Sequence, residues 1–214
     1  MKDNLYFTHY PYPYPIEVFV LAREEEEKII RQSYQHPLGF LIRFLMSTGI
    51  KAEELLLLIY SDINVMTREV DIPIVLKPGT DINKAASTAE FRAVPIPDRT
   101  MVELADWRSA KMRACEMNEY DISHEPIATT PEGNRITYQG LQRIFCDILY
   151  DCDMIYYPLS ALRDTYAMRL LAGGIVPQAL NEILGDPNAA NIYINYSAAI
   201  GAIRGERPKK QRIR

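Results

Sequence analysis

Apolar and polar positions along this chain follow two periods in succession. From Ala22 the spacing is helical, with Glu24 to Glu27 in the first turn, where acids suit the positive end of a helix dipole. Leu38 to Ser47 is apolar nearly all round, which predicts a buried helix, and Gly49 is a natural stop after it. A turn and a second helix follow through Leu58. The period then changes to two at Glu69 to Leu76, the pattern of a strand. Pro78-Gly79 and the polar run to Ser87 read as a hairpin turn or loop, and Phe91 to Ile96 as the returning strand. Pro97-Asp98 opens a helix expected to reach about Met117. Ile127 to Thr130 reads as a short strand, followed by a turn and a helix over Tyr138 to Tyr150 with Thr137 as its N-cap. A small-residue helix is expected over Ser197 to Ile203. Helices, a small antiparallel sheet, then helices make an α+β chain that is mostly α.

Composition narrows this picture. The 214 residues suit one good-sized domain. No apolar run approaches the roughly 20 residues of a membrane span, and the first residues lack the apolar stretch of a signal peptide. Cys115, Cys146 and Cys152 are too few and too irregular for a disulfide framework, so thiols in a reducing cytoplasm are the simplest reading. His9, His36 and His124 are scattered, no Cys/His spacing suits zinc, and there is no phosphate-binding glycine loop. No metal or cofactor is expected. Residues 1–18 are Tyr- and Pro-rich and read as an extended lead-in.

Charge is unevenly spread. The formal net charge is −4, but the last eleven residues hold six basic residues and one acid. Without them the chain carries 18 basic against 27 acidic residues. An acidic body with a basic tail at residues 204–214 grips nucleic acid weakly or through a local patch.

The stretch from Tyr157 to Tyr196 carries the chemistry. It contains Leu162-Arg163-Asp164-Thr165-Tyr166-Ala167, a double glycine, Ile183-Leu184-Gly185 and then tyrosines. It resembles the closing half of a tyrosine recombinase (phage integrase) catalytic domain. STGIKAEELLLLIYSDIN, from Ser47, is similar to that family's Thr-Gly-x-Arg-x-x-Glu-Leu segment. FRAVPIP is similar to the strand closing its sheet, and IATTPEGNRITYQGLQRIF to the stretch before its second arginine. The resemblance runs from about Phe19 and implies a catalytic domain over residues 19–203, without the helical DNA-clamping domain that most members carry first.

The resemblance also implies partners and roles. Double-stranded DNA would be the partner, held weakly, with self-association through the segment after the tyrosine. The family's tyrosine attacks a DNA phosphate, two arginines hold that phosphate, a hairpin lysine protonates the leaving oxygen, and histidines assist. Carried over, the second arginine is Arg163, whose other reading is an ion pair with Asp164. Lys51 stands where the first arginine would, and Lys84, with Lys77 as rival, where the hairpin lysine would. Ser160 stands where a histidine would, and Asp186 where a histidine or tryptophan would. Tyr196 fits the spacing without gaps; Tyr193 fits the local Ile-Tyr-x-x-Ser pattern with a deletion of about three. The departures at Lys51, Ser160 and Asp186 imply a DNA-binding recombinase-like protein with impaired strand transfer. A working recombinase, or an interaction module that does not touch DNA, are the alternatives.

Overall fold

A computed structural model of the chain describes residues 18–73 and 91–203. The lead-in before Val18, the hairpin with Lys77 and Lys84, and the basic tail lie outside the described residues. In chain order the elements are α1 (Arg23–Ser33), α2 (Gly39–Thr48), α3 (Ala52–Leu57), β1 (Ile63–Asn64), β2 (Glu69–Pro73), β3 (Phe91–Pro95), α4 (Asp98–Ala114), α5 (Glu119–Ser123), α6 (Tyr138–Asp151), α7 (Ser160–Ala172), α8 (Pro177–Leu184) and α9 (Ala189–Ile203). The fold is the expected one: mostly helical, with one three-stranded antiparallel sheet in the order β1-β2-β3.

Helix α2 is the centre of the packing. It meets α1, α4, α6 and α7, and Phe40, Leu41, Ile42, Phe44, Leu45 and Met46 are all buried. That is why its sequence shows no polar face. Its one charged residue, Arg43, is accommodated by partners. The guanidinium donates to the Ser33 carbonyl at 2.8 Å, pairs with Glu103 at 2.7 Å and lies 3.8 Å from the centre of the Tyr34 ring. A second, smaller cluster, with Tyr166, Ala167, Leu180, Leu184, Ala189, Ala190 and Tyr193, joins α7, α8 and α9.

In the sheet, Val70 faces Val94 and Ile72 faces Arg92. Val70, Ile72 and Val94 are buried while their neighbours point outward. Alternation thus places Arg92 on the inner face, which matters below.

Some boundaries differ from expectation. Ile127 to Thr130 is not a strand; it makes one isolated bridge, Thr129 to Arg135, beside another between Ile59 and Pro126. These segments are tied by main-chain bonds such as the Ile127 amide to the Leu58 carbonyl at 3.0 Å and the Ile136 amide to the Ala128 carbonyl at 3.1 Å, and by the Trp107 indole to the Ile127 carbonyl at 3.0 Å. Helix α4 stops at Ala114, and the chain turns at Glu116, whose φ is +52°. The short helix α5 and strand β1 carry too few residues to show a period. The last helix begins at Ala189, eight residues before Ser197, because Ala189, Ala190 and Tyr193 bury against α7 and α8. Thr137 does cap α6, its hydroxyl accepting from the Gly140 amide at 3.1 Å.

Candidate active site

Two glycine-ended helices frame the site. Helix α2 ends at Gly49 and α8 at Gly185, both left-handed, with φ of +66° and +65°. Such an end leaves main-chain carbonyls without helical partners. Arg163, projecting from α7, takes one from each side. Its Nη1 donates to the Gly49 carbonyl at 2.7 Å and its Nη2 to the Leu184 carbonyl at 2.6 Å. Burial draws the guanidinium below the ordinary arginine pKa, while nearby Tyr193 and Glu54 act the other way. An arginine keeps its charge through such a shift, so a positive centre is fixed between the two helix ends.

A second arginine sits beside it. Arg92, on the inner face of β3, donates from Nε to the Ile183 carbonyl at 3.0 Å and from Nη2 to Glu54 Oε2 at 2.6 Å. The same Glu54 oxygen accepts from the Lys51 amide at 2.7 Å and so caps α3. One carboxylate therefore ties the α2–α3 turn to the sheet, and Arg92 ties the sheet to the end of α8. The sequence reading singled out neither Arg92 nor Glu54. The available signal was an arginine at an inward position of a strand, which needs a buried partner.

The tyrosines separate in space. The Tyr193 hydroxyl donates to Asp164 Oδ1 at 2.8 Å, and the Phe19 amide donates to Asp164 Oδ2 at 3.0 Å. Both Tyr193 and Asp164 are buried. Burial pushes the Tyr193 phenol well up, and the charges of Asp164 and Asp186 push it the same way. Tyr196 is half-buried and lies within electrostatic reach of Tyr157, whose hydroxyl donates to Glu25 at 3.3 Å. Of the two candidates, Tyr193 is the one whose charge is felt by Arg163.

The remaining candidates sit around this centre. Lys51 is exposed, two residues after Gly49, as the N-cap of α3. Ser160 is exposed at the start of α7, nearly one turn before Arg163. Asp186 follows Gly185; its Oδ1 accepts the Asn188 amide at 2.9 Å in the turn leading to α9, and its charge reaches Tyr193. The Arg163–Asp164 ion pair does not form: Asp164 spends its oxygens on Phe19 and Tyr193. Lys84 and Lys77 lie outside the described residues. The imidazole of His36 accepts the Leu38 amide, and His124 contacts Ser123, so both are engaged locally. Among the described residues no group of His, Cys, Asp and Glu could hold a metal ion, and no helix is long and apolar enough to cross a membrane.

Asp164 makes stability pH-dependent with a definite sign. Burial pushes its carboxyl from the ordinary 3.8 up to about 6, against the hydrogen bonds from Phe19 and Tyr193 and the charge of Arg163. Between those values the folded chain holds a proton that the unfolded chain releases, so the carboxyl's contribution to stability falls as pH rises through the window. In Asp164→Asn this fall should vanish, leaving the variant about 2 kcal/mol more stable than wild type at pH 7 and about equal at pH 4. The Asn amide can still serve both partners, with its oxygen toward Phe19 and its nitrogen toward Tyr193. Urea melts of both proteins at pH 4, 5, 6 and 7 test this; a constant difference across the series would contradict it.

Comparison with known proteins agrees with the geometry. The tyrosine recombinase XerC-like protein of Caldanaerobacter subterraneus subsp. tengcongensis is 29% identical over 196 residues, which cover 83% of this chain and 50% of that protein. The chain thus spans about half the length of that relative. The crystal structure of XerA recombinase matches with a TM-score of 0.65 at 17% identity, covering 89% of this chain and 66% of that one. The Tn1549 transposon integrase, in complex with circular intermediate DNA, matches with a TM-score of 0.64 at 18% identity, covering 86% of this chain and 64% of that one. These likenesses share the fold, and the model of the phage integrase family matches residues 20–199. With the helices, the sheet and the family match in agreement over nearly the whole described chain, this protein belongs to the phage integrase family.

Proposed function

We propose that this chain binds double-stranded DNA as a recombinase-like protein and transfers strands poorly. The observation that carries the reading is the Tyr193 hydroxyl donating to the Asp164 carboxylate at 2.8 Å, with the charge of Asp186 also reaching it. A phosphodiester brought to Tyr193 would meet negative charge there. A unit charge at about 4 Å is worth several kcal/mol at a partly buried site. Lys51 supplies a point charge where the family has a two-pronged guanidinium, and neither Ser160 nor Asp186 replaces an imidazole near neutral pH. Arg163 retains three N–H groups beyond its two carbonyl bonds, enough to hold a phosphate oxygen. DNA as partner is supported by the relatives solved with it, among them the XerH recombinase bound to its difH substrate and a lambda integrase dimer bound to a core site.

A second reading is a working recombinase with Tyr193 as nucleophile, favoured by the electrostatic coupling of Tyr193 to Arg163. One experiment separates the two. Nicked duplexes with randomised core sequence trap any covalent protein–DNA adduct, and titration with duplex DNA at several salt concentrations measures binding. We expect salt-sensitive binding, few wild-type adducts and about tenfold more in the Lys51→Arg, Asp186→His double variant, in which repulsion is removed and a two-pronged donor restored. Abundant wild-type adducts would establish the working recombinase. Absence of salt-sensitive binding would leave an interaction module and overturn both.

A further inference from the structure

We propose that Asp164 is a positioning residue that clamps the Tyr193 hydroxyl in the interior and joins it to the main chain at Phe19. The proposal deepens the reading of a poorly active recombinase site. If Tyr193 is its reactive group, the phenol can turn toward a phosphate only when this clamp opens.

Three elements far apart in the chain meet at one carboxylate. Tyr193 arrives from α9 and Phe19 from the segment before α1, while Asp164 projects from α7. The neighbouring residue repeats the arrangement. The Leu21 amide donates to the Thr165 hydroxyl at 2.9 Å, and that hydroxyl donates to the Ala161 carbonyl at 2.6 Å. The segment at residues 19–21 is thus pinned along α7 by two consecutive side chains, and the first of them also holds the tyrosine.

A carboxylate is a costly choice for this place. It is buried and receives two hydrogen bonds where it could accept about four. Of the charges around it, Arg163 on its own helix favours its ionised form. Across the gap, Tyr193 on α9 also feels Asp186 from the turn before that helix, and Arg163 feels Glu54 from α3 and Arg92 from β3. A neutral apolar residue would fill the same space at lower cost but would leave the phenol free. Retention of the costly group is understandable if holding the hydroxyl is its role.

The test needs no DNA, so its outcome is independent of whether the chain binds or cleaves DNA. Nitration by tetranitromethane at pH 8 attacks the ionised phenol, and mass spectrometry of peptides reads each tyrosine separately. Tyr150, 82% exposed, is the internal reference. In wild type, Tyr193 should react at least about tenfold more slowly than Tyr150, the protection expected of one charge-assisted hydrogen bond added to burial. Asp164→Ala should remove about tenfold of that protection. Asp164→Asn has the same shape but offers the phenol an N–H donor in place of a carboxylate acceptor, which favours the phenolate, so it should lose about as much protection as the alanine variant, a loss that packing alone would not give. If the alanine variant fails to fold, the wild-type and asparagine rates still decide. Nitration of wild-type Tyr193 as fast as Tyr150, or persistence of protection in a folded alanine variant or in the asparagine variant, would each overturn the clamp.

Discussion

Gly49→Ala should cost about 3–5 kcal/mol of stability. Three penalties coincide. The residue has φ +66°, a conformation that a Cβ strains by about 1 kcal/mol. The new Cβ would lie 2.1 Å from Cδ1 of Tyr166, whose ring is buried and part of the α7–α8–α9 cluster. Any shift that relieves the clash also moves the Gly49 carbonyl off the Arg163 guanidinium, which is buried and needs it. Gly174→Ala is the control. Its φ is +86°, but nothing lies within 4 Å of the added Cβ, so it should cost only about 1 kcal/mol. Urea unfolding with unchanged slope gives both values. Equal losses in the two variants would mean that the contact with Tyr166 and the Arg163 bond contribute nothing.

Glu54→Ala should destabilise the chain by a similar amount, about 3–5 kcal/mol, for an electrostatic reason. The Arg92 side chain is only 9% exposed and that of Glu54 19%. Removing the carboxylate strands a positive charge that cannot regain its water, and it also uncaps α3 at the Lys51 amide. Replacing both partners, Glu54→Ala with Arg92→Met, should recover much of the loss, since the stranded charge disappears with the arginine. The same urea melts measure it. A loss below about 1 kcal/mol in the single variant would place the pair with ordinary solvent-screened surface bridges.

The local elements were legible because each carries its own cause. Leu38 to Ser47 reads as a buried helix because nearly every position is apolar, and Gly49 ends it because a left-handed residue without a Cβ is needed there. Thr137 reads as an N-cap because a hydroxyl before an amphipathic run has a free amide to serve, and it does so at Gly140. Glu69 to Pro73 alternates, and Phe91 to Pro95 returns against it as the antiparallel partner. The C-terminal helix was legible only in its second half. Asp186, Pro187, Asn188 and Asn191 are turn-favouring residues, and α9 starts at Ala189 because α7 and α8 offer a surface for its small residues and Tyr193 to bury against.

By itself the sequence determined the main helices, the order of helices, antiparallel sheet and helices, and the segments that resemble a family, and it singled out Arg163. Periodicity and motif spacing are local properties, fixed within one or two turns of chain. Only the tertiary structure decided which side chains meet. Arg163 reaches carbonyls 114 and 21 residues away, and Arg92 a carboxylate 38 residues before it. Tyr193 is coupled electrostatically to Arg163 and Tyr196 to Tyr157, because three residues along a helix move a side chain about 4.5 Å along the axis and about 60° around it, and the packing of α9 buries the first of the two. Asp164 became the partner of Tyr193 and Phe19 rather than of its neighbour Arg163, because adjacent helical residues diverge by about 100° and each goes to the partner that burial leaves within its reach.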